Sequence, residues 1–248
     1  MTDEKFLDQK MDRREFLKKA GIGGAGLALG LSGASAFFNN QDSSSKKAYD
    51  GDEDISFYGK HQAGITTPMQ KACYLVVLDL HTTDKKEVIQ LFKDWTDYSS
   101  KLVDGELVKK DGSNALLPPT DTGETVGLNP YRLSLTFGVS ADFLKKLGLE
   151  SKRPKLFRDL PPFPKEQLQD KYTGGDIVIQ ACADDEQVAF HAVRNLIRKG
   201  RNKITMKWSK SGFVAIGDRK ETPRNLFGFK DGTANVTTEK EFDKVVWT

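Results

Sequence analysis

Ala72-Cys73-Tyr74-Leu75-Val76-Val77-Leu78-Asp79-Leu80 is an almost unbroken apolar run with adjacent valines at its centre. A run of this length and composition reads as a strand buried on both faces. The period changes directly after it. Asp84 with Glu87 has the spacing of a capping box. Val88, Leu91, Phe92 and Trp95 then fall at i, i+3, i+4 and i+7, one stripe of an amphipathic helix. Tyr131 to Phe137 alternates and reads as a second strand, and Ser140 can cap a short helix running to Leu147. Asp176 to Ala183 is a third strand. Asp184 or Asp185 caps a second long helix, whose buried stripe is Ala189, Val193, Leu196 and Ile197. His191 lies off that stripe and reads as a solvated or capping residue. Ile204 to Trp208 is a fourth strand.

The order strand, helix, strand, strand, helix, strand is the split βαβ arrangement of a ferredoxin-like α+β fold. Strands one and three are read as parallel neighbours, with Cys73 opening one and Cys182 closing the other. At ~3.3 Å per residue that puts the two thiols ~16 Å apart, beyond bridging distance, so two free thiols are expected. Two cysteines supply neither a metal-cluster spacing nor a disulfide framework. Leu102 to Gly127 and Ser151 to Gly175 are long Pro- and Gly-containing loops, the kind that carry function or move.

Downstream stands Pro223-Arg224-Asn225-Leu226-Phe227-Gly228-Phe229-Lys230-Asp231-Gly232-Thr233-Ala234-Asn235. One carboxylate sits there between glycines, after a Leu-Phe-Gly-Phe run. Gly228 and Gly232 permit positive φ or a close ligand approach. Phe227 and Phe229 could enclose a dry pocket faced by Asp231, where a carboxylate can move protons. The other reading is a Lys-Asp-Gly turn between two strands, because Asp-Gly is a strong hairpin signal.

Gly228-Phe229-Lys230-Asp231-Gly232 matches the Gly-Phe-x-Asp-Gly signature of the dye-decolourising (DyP-type) haem peroxidases, and Asn225 to Asn235 resembles the exported deferrochelatase/peroxidase branch of that family. Phe57-Tyr58-Gly59-Lys60-His61-Gln62-Ala63-Gly64-Ile65 and Leu117-Pro118-Pro119-Thr120-Asp121-Thr122-Gly123 resemble the same branch. The likeness runs from Phe57 to Trp247. It implies the ferredoxin-like βαββαβ half-domain of a fold in the dimeric α+β barrel superfamily, with a C-terminal half that is missing from this chain. It implies haem b as cofactor and hydrogen peroxide as substrate, with Asp231 as the acid–base group. Gly232, Thr233 and Ala234 would meet the porphyrin through their backbone, and Asn235 would hold the turn. No metal ligand is assigned within the chain, because the proximal histidine and the distal arginine are expected downstream of Thr248. His61 is accordingly given a supporting role. The resemblance also implies iron release from haem with the porphyrin ring intact, a link to an iron-uptake membrane system, and a homo-oligomer. A carboxylate suits this chemistry, since it stays ionised in mildly acid medium where histidine is protonated.

At the N-terminus, Asp12-Arg13-Arg14-Glu15-Phe16-Leu17-Lys18 is a twin-arginine pattern, followed by a glycine-rich apolar stretch from Ala20 to Phe38 and an Ala34-Ser35-Ala36 cleavage site. This reads as an export signal cut after Ala36. A membrane anchor is the alternative, but the glycines make a poor spanning helix. Residues 1–36 are thus the signal, 37–54 a polar disordered linker, 55–220 the ferredoxin-like domain, and 221–248 the Gly-Phe-x-Asp-Gly loop with the start of the next half. The destination is outside the cytoplasmic membrane. Acidic and basic residues are interspersed, with a net charge of +3, which points away from nucleic acid. Two other classes stay open: a haem-binding or haem-delivery module without turnover, and a purely structural domain.

Overall fold

The computed structural model describes residues 55–109, 118–216 and 222–247. The export signal, the cleavage site and the linker up to Asp54 lie outside the described residues. β1 (Ala72–Leu80), α1 (Lys85–Val103), β2 (Ser134–Val139), α2 (Ala141–Lys146), β3 (Ile177–Ala183), α3 (Glu186–Gly200), β4 (Ile204–Phe213) and α4 (Glu239–Val245) follow in that order. The four strands form one sheet in the order β2-β3-β1-β4. This is the ferredoxin-like α+β arrangement expected of the element order.

One expectation about that sheet is overturned. β1 and β3 are antiparallel, and Cys73 lies directly opposite Cys182. In a split βαβ unit the crossover helix α1 makes β2 parallel to β1, and the strand inserted between them must run the other way. Every hydrogen-bonded pair in this sheet is antiparallel. The thiols are therefore neighbours, not ~16 Å apart. Both are unbridged in the structure, although the geometric reason given above for their being free does not hold.

Alternation divides the sheet into two faces. Val76, Leu78 and Leu80 of β1, Ile177, Ile179, Ala181 and Ala183 of β3, and Leu135 of β2 point to one side. There they meet Val88, Leu91, Trp95 and Leu102 of α1 and Val188, Ala192, Val193 and Leu196 of α3. The Trp95 indole N–H donates to the Leu196 carbonyl at 2.8 Å, so the largest core side chain brings its one polar atom to a partner. Asp84 caps α1 by accepting from the Lys86 N–H at 2.8 Å. Glu87 bonds the Thr82 hydroxyl, so the reciprocal box is not made. Asp185, not Asp184, caps α3, accepting from Gln187 and Val188. β4 runs five residues beyond Trp208, because its pairing with β1 continues to Phe213 opposite Ala72.

Cys73, Val77, Val178, Gln180 and Cys182 occupy the opposite face. Residues 62–70 lie along the β2 side of the sheet. Gln62 brackets Phe137, donating to its carbonyl at 3.1 Å and accepting from its N–H at 2.9 Å. The Thr136 hydroxyl donates to the Ala63 carbonyl at 2.9 Å. Gly64 passes so close that a Cβ there would stand 1.9 Å from Thr136 Oγ1, at φ +93°. Gln70 is buried and donates to Ser134 Oγ at 2.8 Å and to the Arg132 carbonyl at 3.1 Å. The Arg132 guanidinium reaches Asp184 at 3.1 Å with both side chains sealed from solvent. These bonds fix the segment that forms one side of the site below.

Candidate functional site

The stretch from Pro223 to Asn235 is two consecutive turns. Arg224 and Lys230 pair as an isolated antiparallel bridge. Between them Asn225 Oδ1 accepts from the N–H groups of Phe227 (3.0 Å) and Phe229 (3.1 Å), and the Arg224 guanidinium donates to the Gly228 carbonyl at 2.8 Å. Gly228 sits at φ +85°, a conformation that costs glycine little. The hairpin turn is thus centred on Leu226 to Gly228, and Asp231-Gly232 starts the next one. That second turn has Gly232 at φ +77°, and the Asn235 N–H bonds the Gly232 carbonyl at 3.0 Å. This is a backbone bond and does not draw on the Asn235 side chain.

Asp231 is exposed, and its Oδ1 accepts from the Asn225 amide at 3.1 Å. Gly232, Thr233 and Ala234 are exposed beside it. Phe227 and Phe229 do not enclose a dry pocket. They are 88% and 70% exposed, with Leu226 at 90%, because nothing among the described residues packs over that turn. Asp231, Gly232 and Asn235 instead line an open cleft of about 810 Å³. Gly64, Gln70 and the two cysteines line it too. The cleft therefore joins the signature loop to the open face of the sheet. No histidine lines it.

Each histidine has another setting. His61 stacks on Trp247, ring centroids 3.7 Å apart and 4° from parallel. This contact ties the segment after α4 to the start of the domain. His81 bonds the Thr205 hydroxyl at 2.5 Å. His191 is not solvated, contrary to the sequence reading. It is 2% exposed, and its Nε2 lies 2.8 Å from Asp121 Oδ1 while its Nδ1 lies 3.0 Å from Thr125 Oγ1. Asp121 accepts further from the N–H groups of Gly123 (2.7 Å) and Val108 (2.9 Å). Burial works to raise the Asp121 carboxyl, but the hydrogen bonds from His191, Val108 and Gly123 overcome it and hold it below its ordinary value. Burial works to raise Glu124 too, but the hydrogen bond with the Thr122 side chain and, less strongly, Arg194 at 2.6 Å hold it below its ordinary value.

A carboxylate, an imidazole and a hydroxyl in a row have the pattern of a proton relay, but this one is sealed. The cavity beside His191 and Thr125 measures about 10 Å³, hardly room for one water. The cluster is a clasp that holds the loop around residues 118–128 to α3. Sequence reasoning missed it because its partners come from a loop with no periodicity. Among the described residues, no group of three or more His, Cys, Asp or Glu side chains is placed to hold a metal ion.

The family described as "Dyp-type peroxidase, N-terminal" matches residues 62–214. The chain is 37% identical over 200 residues to a deferrochelatase of Yersinia pseudotuberculosis, covering 77% of this chain and 45% of that one. It is 35% identical over 243 residues to a deferrochelatase of Escherichia coli O157:H7, covering 95% and 57%. Among solved structures, a DyP-type peroxidase from Streptomyces coelicolor superimposes with a TM-score of 0.69 at 37% identity, over 78% of this chain and 51% of that one. Ferric DtpA from Streptomyces lividans gives the same values. The chain spans about half the length of the curated relatives it matches. With the family model covering more than half of its residues, and the sheet order β2-β3-β1-β4 being that of a ferredoxin-like half-domain, the chain belongs to the DyP-type peroxidase family.

Proposed function

We propose that this chain works in a haem-dependent peroxidase of the deferrochelatase kind, outside the cytoplasmic membrane, with Asp231 as the acid–base group. The observation that supports this most is the placement of Asp231. Its carboxylate stands at an open cleft, held from behind by the Asn225 amide, on a loop whose glycines bring the backbone to the surface. The described residues fit one side of a haem. Gly232 to Ala234 offer exposed backbone beside the cleft, and Leu226, Phe227 and Phe229 offer apolar surface on the neighbouring turn. Among the described residues no histidine lines the cleft to hold the iron.

When bound, haem would supply the redox chemistry for reducing the peroxide. What this chain contributes is proton handling. The Asp231 carboxylate accepts a proton from one peroxide oxygen and returns it to the oxygen that leaves. The Asn225 amide donates to Oδ1, which orients the carboxylate. Asp231→Asn keeps the shape and removes the basic oxygen. Dye oxidation driven by peroxide should fall by about 10² in the haem-loaded protein, with the haem absorption spectrum unchanged. Equal rates at matched haem occupancy would take Asp231 out of the chemistry. Release of iron with an intact porphyrin, the activity that names the deferrochelatase relatives, is read in the same preparation from free iron and from the metal-free porphyrin spectrum.

A haem-binding module without turnover is the second reading, favoured by the lack of a described histidine at the cleft. It predicts haem uptake with no difference between Asp231 and its Asn variant.

A further inference from the structure

The antiparallel pairing that displaced the sequence reading brings together the only two cysteines of the chain. Cys73 and Cys182 are opposite one another on neighbouring strands, and their side chains point away from the helix-covered core. Residues directly opposed in an antiparallel pair stand ~4.5–5.5 Å apart at Cα, inside the ~4.4–6.8 Å range that a disulfide spans. Their flanks are small. Gly212 is the partner of Cys73 on β4, and Ser134 is the partner of Cys182 on β2. The row Ser134, Cys182, Cys73, Gly212 therefore leaves a hollow across the sheet. A Cβ at Gly212 would meet the Cys73 Cβ at 3.9 Å, and glycine leaves that side open. Both thiols are half-buried and both line the cleft that also holds Asp231. Inert structural cysteines are sunk in the core, and these are not.

We propose that Cys73 and Cys182 are a peroxide-oxidisable dithiol, in which Cys73 attacks, Cys182 resolves, and a cross-strand disulfide closes on the wall of the cleft. The site needs neither haem nor Asp231, so it stands independently of the function proposed above. The oxidant is a hydroperoxide. The Cys73 sulfur attacks one peroxide oxygen, the O–O bond breaks, and the departing hydroxide takes up a proton to leave as water. Cys73 is then a sulfenic acid. The Cys182 sulfur attacks that sulfur, the S–O bond breaks, and hydroxide leaves with the Cys182 proton as a second water. Two thiols and one hydrogen peroxide become one disulfide and two waters. The thiols lose two electrons and the peroxide gains them.

Gly212, opposite Cys73 on β4, leaves the Cys73 flank open to an incoming peroxide, and the electrostatics run in the same direction. The Cys182 thiol, hydrogen-bonded to the Cys73 sulfur, lowers Cys73 from 9.0 to about 7 against the opposing effect of burial. The same contact and burial push Cys182 up, keeping it a thiol until it resolves.

The test uses the full chain, reduced and haem-free, treated with one equivalent of hydrogen peroxide and then denatured and alkylated. Before treatment both cysteines should label. Afterwards neither should, the monomer should be two hydrogens lighter, and one linked peptide should contain both residues. Added dithiothreitol should restore both labels. Cys182→Ser should stop at a sulfenic acid on Cys73 that dimedone traps, and Cys73→Ser should lose its remaining thiol more slowly than the parent loses Cys73. The wild-type mass and label count need no variant to fold. Monomers that keep both thiols would overturn the proposal. So would links only between two chains, or separate oxidation of each cysteine to a sulfinic acid.

Discussion

Replacing Asp121 by Asn tests the clasp that holds the loop around residues 118–128 to α3. Asp121 is 4% exposed, and its two oxygens accept three hydrogen bonds. The amide has the same shape. Its oxygen can keep the bonds from His191 and Gly123, but its NH₂ then faces the Val108 N–H, donor against donor. A buried N–H without an acceptor costs ~1–3 kcal/mol. The two surviving bonds lose their charge assistance, worth about 1 kcal/mol more. The total, ~2–4 kcal/mol, is a large share of the ~5–15 kcal/mol that a folded protein of ordinary stability has. Urea unfolding followed by tryptophan fluorescence should show it, as a midpoint lower by ~1–2 M for a urea slope of ~2 kcal/mol/M. The pH dependence carries the sharper test. Asp121 is held below its ordinary value, so its contribution is complete above the unfolded value of ~3.9. It is lost as pH falls through the lower folded value. Wild type and variant should therefore differ at pH 7 and converge in acid. The Glu124 contribution, of the same sign, is common to both proteins and cancels in the difference. A gap that stays constant from pH 7 into acid, or no gap at pH 7, would refute the charge-assisted network.

Gly64→Ala should destabilise by about 2 kcal/mol or more, since its Cβ would meet Thr136 Oγ1 at 1.9 Å and its backbone is at φ +93°. A smaller loss in the urea midpoint would mean that the segment 62–70 gives way cheaply. Arg132→Ala should cost ~3–5 kcal/mol by stripping a buried partner from Asp184, whose side chain has no exposed surface. Thermal unfolding reads this, and a loss under ~1 kcal/mol would show that water replaces the guanidinium. Changing Arg13 and Arg14 together to Lys should leave the precursor uncut in the cytoplasm, as fractionation and mass would show. Normal export of that variant would end the twin-arginine reading.

The two helices and four strands of the half-domain were legible because each carries a period or a cap that can be seen locally. Val88, Leu91 and Trp95 are buried as their spacing requires, and so are Ala189, Val193 and Leu196. The direction of β3 was not legible from its own residues. Ile177 to Ala183 alternates identically whichever way it runs, and only its insertion between β1 and β2, made parallel by the α1 crossover, decides the direction. One wrong direction moved Cys182 from beside Cys73 to the far end of a strand. His191 was misread for a related reason. It sits off the apolar stripe of α3, and a loop some seventy residues earlier covers it with Asp121 and Thr125. The residues of the signature loop were visible through the resemblance. Its shape was not, because Asn225, with no apolar pattern to announce it, organises the turn through its side chain.

The stack of Trp247 on His61 has a bearing on how the chain reaches its fold. These two rings sit near opposite ends of the described residues and come within 3.7 Å. Contacts between such distant positions form last, because the entropy of closing so long a loop must be met before the contact returns anything. On the ribosome the delay is literal, since Trp247 emerges only after every strand of the sheet. The sheet and its helices can therefore assemble while the Asp231 loop is still unanchored, and the signature loop is set in place by a late event. A chain stalled or clipped before Trp247 would keep its core and lose this tether.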